Sequence, residues 1–279
     1  DTELDLDDED SLSERLSKHT IRQNAVLDIA VIKFPRISNF TDFKILESLE
    51  NISVRYVSGL QELQNPDLII LPGTKNTISD LLWMRQNGLE AGILKAHEKG
   101  AVMFGICGGY QMLGRNLSDP EQIEQGGEVR GMGLCNIDTI FRKQKRTTQI
   151  AGKICHLDAD FQNLAGIAVT GYEIHTGETY GQEQPFLQLE TGDSDGCFCS
   201  SENSEIFGTY LHGIFDNQEF TEKFLNCLIS RKKQKNNQIQ NIKILNPALQ
   251  KEEAYDKLAD LLRKHLDLSK IYQILESGN

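Results

Sequence analysis

No uninterrupted apolar stretch in the chain approaches the ~18 residues that a membrane helix needs, so no membrane span is expected. Nor is there a secretion signal: Asp1 to Asp10 is acidic and lacks a basic flank and an apolar core. A cytoplasmic location is the expectation. Paired cysteines are missing too. The six cysteines, Cys107, Cys135, Cys155, Cys197, Cys199 and Cys227, are scattered through a chain too long to need stapling, which argues against a disulfide scaffold and leaves free thiols for chemistry.

Positive charge is scarce, with 29 Lys and Arg against 41 Asp and Glu and a formal net charge of -12. That balance argues against nucleic acid or an anionic membrane as partner. The one locally basic patch, Arg231–Lys235, reads as a solvated helix end. No Gly-x-x-x-x-Gly-Lys-Ser/Thr pattern occurs, so no nucleotide phosphate loop is expected here.

Residues 1–24 are polar and charged without an apolar period, and read as an acidic leader or linker. A first residue other than Met suggests that an upstream portion has been removed. The main domain is placed at residues 25–230. Its apolar runs Leu27–Phe34, Val54–Val57, Leu68–Leu71 and Ala101–Ile106 are short and β-branched, and amphipathic stretches at Phe43–Leu49, Ile78–Arg85 and Glu90–Glu98 lie between them. This alternation predicts an α/β fold with a mostly parallel central sheet flanked by helices. From Gly126 to Glu205 the pattern favours strands and long active-site loops. After Asn217 it turns helical, with Phe220, Phe224, Leu225 and Leu228 on one face. A polar break at Gln234–Gln240 and a second amphipathic stretch at Ala254–Leu266 make residues 231–279 a C-terminal helical extension.

The sharpest signal is Gly105-Ile106-Cys107-Gly108-Gly109, between a strand and a helix. This is a nucleophile-elbow pattern with Cys in place of Ser, in which small neighbours let the nucleophile project from the sheet end. The start of a helix beyond Cys107 favours the thiolate. A thiolate needs a proton shuttle, and two of six histidines stand out: His212 in Gly208-Thr209-Tyr210-Leu211-His212-Gly213, and His175 closing Gly171-Tyr172-Glu173-Ile174-His175. His19, His97 and His265 sit in polar or helical surroundings and read as surface residues. Asp67–Thr77 holds a buried strand ending in Pro72-Gly73, a turn suited to exposing a backbone N–H. Acyl transfer needs two such donors at the developing oxyanion, and Thr74 and Gly108 are the natural pair. Asn76 or Thr77 reads as a helix cap in the same loop.

Together these segments, with Glu9-Asp10-Ser11, Phe34–Asp42, Leu71–Thr77, Gly105–Gly114 and Gly208–Asp216, resemble the triad glutamine amidotransferases, and within them the glutaminase domain of the cobyric acid synthases. The resemblance implies a flavodoxin-like amidotransferase fold, with Cys107 attacking the glutamine side-chain amide and His212 as its acid and base. It also implies Thr74 and Gly108 as oxyanion donors and Gln111 as a residue that helps hold the substrate. Many relatives carry a Glu two residues after the catalytic His, where this chain has Ile214. The third member of the triad is therefore open among Glu173, a carboxylate from a partner domain, and none at all.

The resemblance further implies an N-terminal ATP-dependent synthase domain that amidates carboxylates of a corrinoid with the released ammonia. ATP and Mg²⁺ would belong to that domain, and no cofactor or metal is expected on these residues. Three rivals are weaker. A glutaminase subunit serving cell-wall precursor amidation is disfavoured by the acidic leader and by Asn39–Asp42. A zinc or regulatory module on Cys155, His156, Cys197 and Cys199 lacks paired Cys-x-x-Cys spacing. A non-catalytic interaction module is disfavoured by the intact Cys107 and His212.

Overall fold

The computed structural model describes residues 21–22, 25–200 and 204–235, with a few positions between 256 and 270. Residues 1–20 and 23–24 of the leader, with His19, and His265 and most of the Ala254–Leu266 stretch lie outside the described residues.

In chain order the first half runs β1 (Leu27–Ile32), a 3₁₀ turn at Phe40–Phe43, α1 (Lys44–Ser48), β2 (Ile52–Val57), α2 (Leu60–Leu63), β3 (Leu68–Leu71), α3 (Thr77–Gln86), α4 (Leu89–Glu98), β4 (Val102–Ile106) and α5 (Gly108–Met112). The second half adds β5 (Asn116–Asp119), β6 (Gly127–Arg130), β7 (Ile137–Ile154), β8 (Ala168–Gly181), β9 (Leu187–Leu189), β10 (Ser194–Asp195), β11 (Cys197–Ser200), β12 (Glu205–Thr209) and α6 (Gln218–Lys235). Every apolar run named above as a strand is one, and α3 and α4 fall where amphipathic periodicity placed them.

The main sheet has the order β11-β12-β4-β3-β1-β2. All its pairings are parallel except the edge pair β11–β12. The chain leaves β1 to one side for β2 and returns on the other for β3, so the connection reverses beside β1. In open α/β sheets ligands bind at the carboxyl ends of the strands near such a reversal. A second, mostly antiparallel sheet is built on the long β7–β8 hairpin and contributes β8 to the site.

β4 is seated by aromatic packing. Phe104 lies 5.1–6.5 Å, ring centre to ring centre, from Phe186, Phe207, Phe215, Phe220 and Phe224. Fully burying each such ring contributes about 1.5–3 kcal/mol, which holds the strand before Cys107 rigidly in the core. The helical spacing of Phe220 and Phe224 thus reflects α6 covering one face of the sheet.

Two sequence expectations are corrected. His97 is buried, with Nδ1 3.0 Å from the Ala101 carbonyl, because α4 turns it inward at the helix end. The Arg231–Lys235 patch begins docked rather than solvated: Arg231 pairs with Glu205 and lies 5.8 Å over the Phe161 ring, and Lys232 reaches Asp67 at 2.7 Å. No helix among the described residues is long and apolar enough to cross a membrane.

Candidate active site

Cys107 sits between β4 and α5 at φ 51°, ψ -111°, a backbone conformation costing on the order of 1–3 kcal/mol for a residue with a side chain. The surroundings impose it. The Cys107 N–H donates to the Thr209 carbonyl of β12 at 2.9 Å, and its own carbonyl accepts the Gln111 N–H at 3.0 Å. The turn is tight enough that a Cβ on Gly109 would stand 1.9 Å from the Leu71 carbonyl oxygen. Because backbone cannot yield as a side-chain tip can, Gly109→Ala is expected to destabilise the fold by more than about 4 kcal/mol, read as a shift of the urea midpoint.

Beyond β12 the chain delivers His212, 1% exposed. Asp195, buried behind that strand end, accepts the Tyr210 N–H at 3.1 Å and is pushed up to about 6 by its burial. His212 exchanges backbone hydrogen bonds with Tyr172 of β8 at 2.8 and 3.2 Å, and the Tyr172 ring stacks on the imidazole with centres 5.2 Å apart. The Tyr172 hydroxyl in turn accepts from the Asn39 side chain at 2.6 Å.

The carboxylate on His212 is Asp42. Its Oδ2 lies 2.7 Å from His212 Nδ1, and its Oδ1 accepts the Gly213 N–H at 3.1 Å, so one side chain fixes both the ring and the turn after it. Asp42 lies in the 3₁₀ turn following β1 and is 3% exposed. A carboxylate there accepts the Nδ1 proton and leaves Nε2 for chemistry. Burial works to lower the His212 pKa, but the Asp42 charge and hydrogen bond, with a further contribution from Cys107, override it and raise it to about 10. Cys107 lies close enough to His212 to act on its protonation. Glu173, one of the three possibilities left open by sequence, pairs instead with Arg146 at 2.7 Å and lies 3.7 Å from His175.

The Thr74 nitrogen lies beside Gly108, 3.3 Å from where a Cβ on that glycine would stand. Gly108 is the first residue of α5, so its N–H has no partner within the helix. Asp80 braces the Thr74 loop by accepting from Thr74 Oγ1 at 2.5 Å and from the Arg36 N–H at 3.2 Å. Asn76 caps α3 through the Ser79 N–H at 2.8 Å.

Gln111 is 2% exposed, with both ends of its amide bonded to protein: Oε1 accepts from Thr77 Oγ1 at 2.9 Å and Nε2 donates to the Tyr210 hydroxyl at 3.1 Å. His175 is occupied elsewhere, stacked on Tyr210 at 3.7 Å with Nδ1 2.7 Å from the Gly177 carbonyl. A cleft of about 840 Å³ lies along β8, lined by Arg146, Glu173, His175 and Tyr210 among others. Cys107 does not line it, but its Sγ lies 3.6 Å from the Ile174 carbonyl of the same strand. A buried thiol, an imidazole oriented by a carboxylate, and the neighbouring Thr74 and Gly108 backbone suit acyl transfer.

Sequence reasoning missed Asp42 as a partner of His212, although it noted the segment containing it. The available signal was a polar segment directly after β1, at the carboxyl edge where Cys107, Thr74 and His212 also emerge. Asn39 and Tyr172 were missed for the same reason: their contacts with the site cross long stretches of chain.

Among known families, residues 28–220 match the CobB/CobQ-like glutamine amidotransferase domain. A cobyric acid synthase of Ruminiclostridium cellulolyticum is 46% identical over 99% of this chain and 54% of its own length. One from Lachnoclostridium phytofermentans is 43% identical over 99% of this chain and 55% of its own. The chain therefore spans about half the length of the curated relatives it matches. Among solved structures, PurLQS from Thermotoga maritima aligns with TM-score 0.54 at 18% identity, covering 74% of this chain and 99% of that one, a likeness of fold. The family match takes in every residue of the Cys107 site, from Asp42 to His212, and on that evidence the chain belongs to the CobB/CobQ-like glutamine amidotransferase domain family.

Proposed function

We propose that this domain hydrolyses glutamine at Cys107 and supplies the ammonia to an ATP-dependent synthase domain of the same protein, which amidates carboxylate side chains of a corrinoid. The observation that carries the glutaminase reading is the Cys107–His212–Asp42 relay, buried at the carboxyl edge of the sheet. The coupling to corrinoid amidation rests on the relatives named cobyric acid synthase, each about twice this chain's length.

The chemistry follows from the atoms in place. Cys107 Sγ, its proton passed to His212 Nε2, attacks the amide carbon of the glutamine side chain. The N–H groups of Gly108 and Thr74 receive the developing oxyanion, where each well-placed donor contributes about 2.7–4 kcal/mol. The His212 imidazolium, held protonated by Asp42, gives its proton to the leaving nitrogen, and ammonia departs from a glutamyl thioester. Neutral His212 then takes a proton from water, and attack on the thioester releases glutamate and restores the thiol. Gln111 acts as a positioning residue, bracing Thr77 and the Tyr210 wall beneath the nucleophile.

Tyr172 holds the imidazole in plane from one side. Tyr172→Ala is expected to lower kcat for glutamate release by about 3- to 10-fold, the worth of one ring contact, while Tyr172→Phe keeps most activity because the ring remains. An equal loss in both variants would point to the hydroxyl and the Asn39 bond instead.

The coupling is tested with the full-length protein, ATP, Mg²⁺, a corrinoid acid and glutamine labelled with ¹⁵N at the side-chain amide. Label in the new corrinoid amides, little diluted by unlabelled ammonium, is the expected result. A protein that releases glutamate but never labels the corrinoid would confine the proposal to the glutaminase step. The cell-wall reading predicts labelling of a peptidoglycan precursor in place of the corrinoid.

A further inference from the structure

Away from the Cys107 site, Cys135, Cys197 and Cys199 bring their sulfurs to one point. Cys135 Sγ is 3.4 Å from Cys199 Sγ and 3.6 Å from Cys197 Sγ, and all three sulfurs lie within 4.8 Å of one another. The strand period explains two of them, since Cys197 and Cys199 are two residues apart on β11 and share a face. The third arrives on the loop that follows α5 and β6. Cys135 and Cys197 are buried and Cys199 partly so.

The spacing fits one metal ion. Zn–S bonds of about 2.3 Å at tetrahedral angles put sulfurs about 3.8 Å apart, whereas a disulfide needs about 2.05 Å. Three mutually close sulfurs do not suit an iron–sulfur cluster, whose cysteines are spread over two or more iron atoms. The Glu183 carboxylate accepts the Asn136 N–H at 2.5 Å, next to Cys135 in the chain.

We propose that Cys135, Cys197 and Cys199 bind a Zn²⁺ ion through their three sulfurs. This set differs from the one weighed by sequence. Cys155 and His156 are not in it, and Cys135, 62 residues from Cys197, takes their place. The spacing gives no Cys-x-x-Cys signature, and only the fold assembles the site.

The position explains what the ion does. The loop carrying Cys135 returns to the end of α5: the Met132 N–H donates to the Met112 carbonyl at 2.8 Å, and the Leu134 and Cys135 N–H groups donate to Leu113 at 2.9 and 3.0 Å. β11 pairs with β12, the strand that leads to His212. One ion therefore ties the helix behind the nucleophile to the edge hairpin behind the base. Metal binding of this kind adds directly to folding stability.

The test uses protein purified under reducing conditions from zinc-replete cells. Elemental analysis is expected to give about one zinc per chain, and cobalt substitution a thiolate-to-cobalt charge-transfer band with tetrahedral d–d bands. Cys135→Ser and Cys199→Ser should lose the metal, and Cys155→Ser and Cys227→Ser should keep it. Should the cluster variants fail to fold, counting alkylated thiols of the native wild type before and after chelation decides: three thiols are protected only while metal is bound. Metal-free wild type in zinc-replete conditions, full zinc in Cys135→Ser, or a Cys135–Cys199 or Cys135–Cys197 disulfide in peptide maps would overturn the proposal.

Discussion

Cys107→Ser is expected to abolish glutamate release from glutamine, by about 10⁴-fold or more in kcat/KM, because the oxygen is a far poorer nucleophile in the same place and no other described thiol lies at the elbow. The same variant in the full-length protein should still amidate with ammonium as nitrogen source, since the loss is confined to the ammonia-producing step. Stability should change little, as the strained turn is held by backbone bonds to Thr209 and Gln111 that the substitution leaves in place. An assay pairing glutamate release with ammonium-driven amidation separates this outcome from general misfolding. Loss of both activities would mean that Cys107 acts through structure, and retention of both would mean that it is no nucleophile.

Asp42→Asn is the second large effect. The amide can no longer hold the Nδ1 proton as an ionised acceptor, so His212 loses both its tautomer and the charge that keeps it protonated. A fall in kcat of roughly 10³- to 10⁴-fold is expected, with KM far less affected. The pH profile carries the distinguishing signature. His212 is raised to about 10 in the folded protein, so its protonated form persists through neutral pH, and the alkaline limb of kcat lies near that value. Without Asp42, burial is offset only by Cys107, and the limb should move down towards the ordinary histidine value of 6.5.

Linkage gives the same sign for stability. A folded pKa above 6.5 contributes stability that is fully present below that value and is lost as pH rises through about 10, so wild type should lose stability over that range while Asp42→Asn is already reduced at neutral pH. Histidine NMR titration of the two proteins checks the shift directly. An unchanged His212 titration in Asp42→Asn would assign the raised pKa to another group.

The sheet was legible because its strands are continuous apolar runs, as parallel strands covered on both faces must be: Leu68–Leu71 and Val102–Ile106 are buried throughout. The elbow was legible for a local reason, since glycines at 105, 108 and 109 mark a turn in which any side chain would strike Leu71, Thr74 or Tyr110. His212 followed from a similar short strand ending in glycine. The His212 partner was not legible. Asp42 is 170 residues away, and only the side-by-side placement of β1, β3, β4 and β12 brings its loop to the same edge. Ile214 stands two residues after His212, and the carboxylate on the ring comes from a different strand end. His97 was misjudged because it lies on the buried face of α4 with Leu89, Ile93 and Ala96, where the Ala101 carbonyl partners the ring.

The most direct measurement is acid quench of the protein mixed with glutamine, followed by intact mass and peptide mapping. A glutamyl adduct on the peptide containing Cys107 is the predicted result, accumulating further when His212→Ala slows its hydrolysis and absent from Cys107→Ser. Glutamate release at the wild-type rate with no adduct at Cys107, or with the adduct on another residue, would contradict the account.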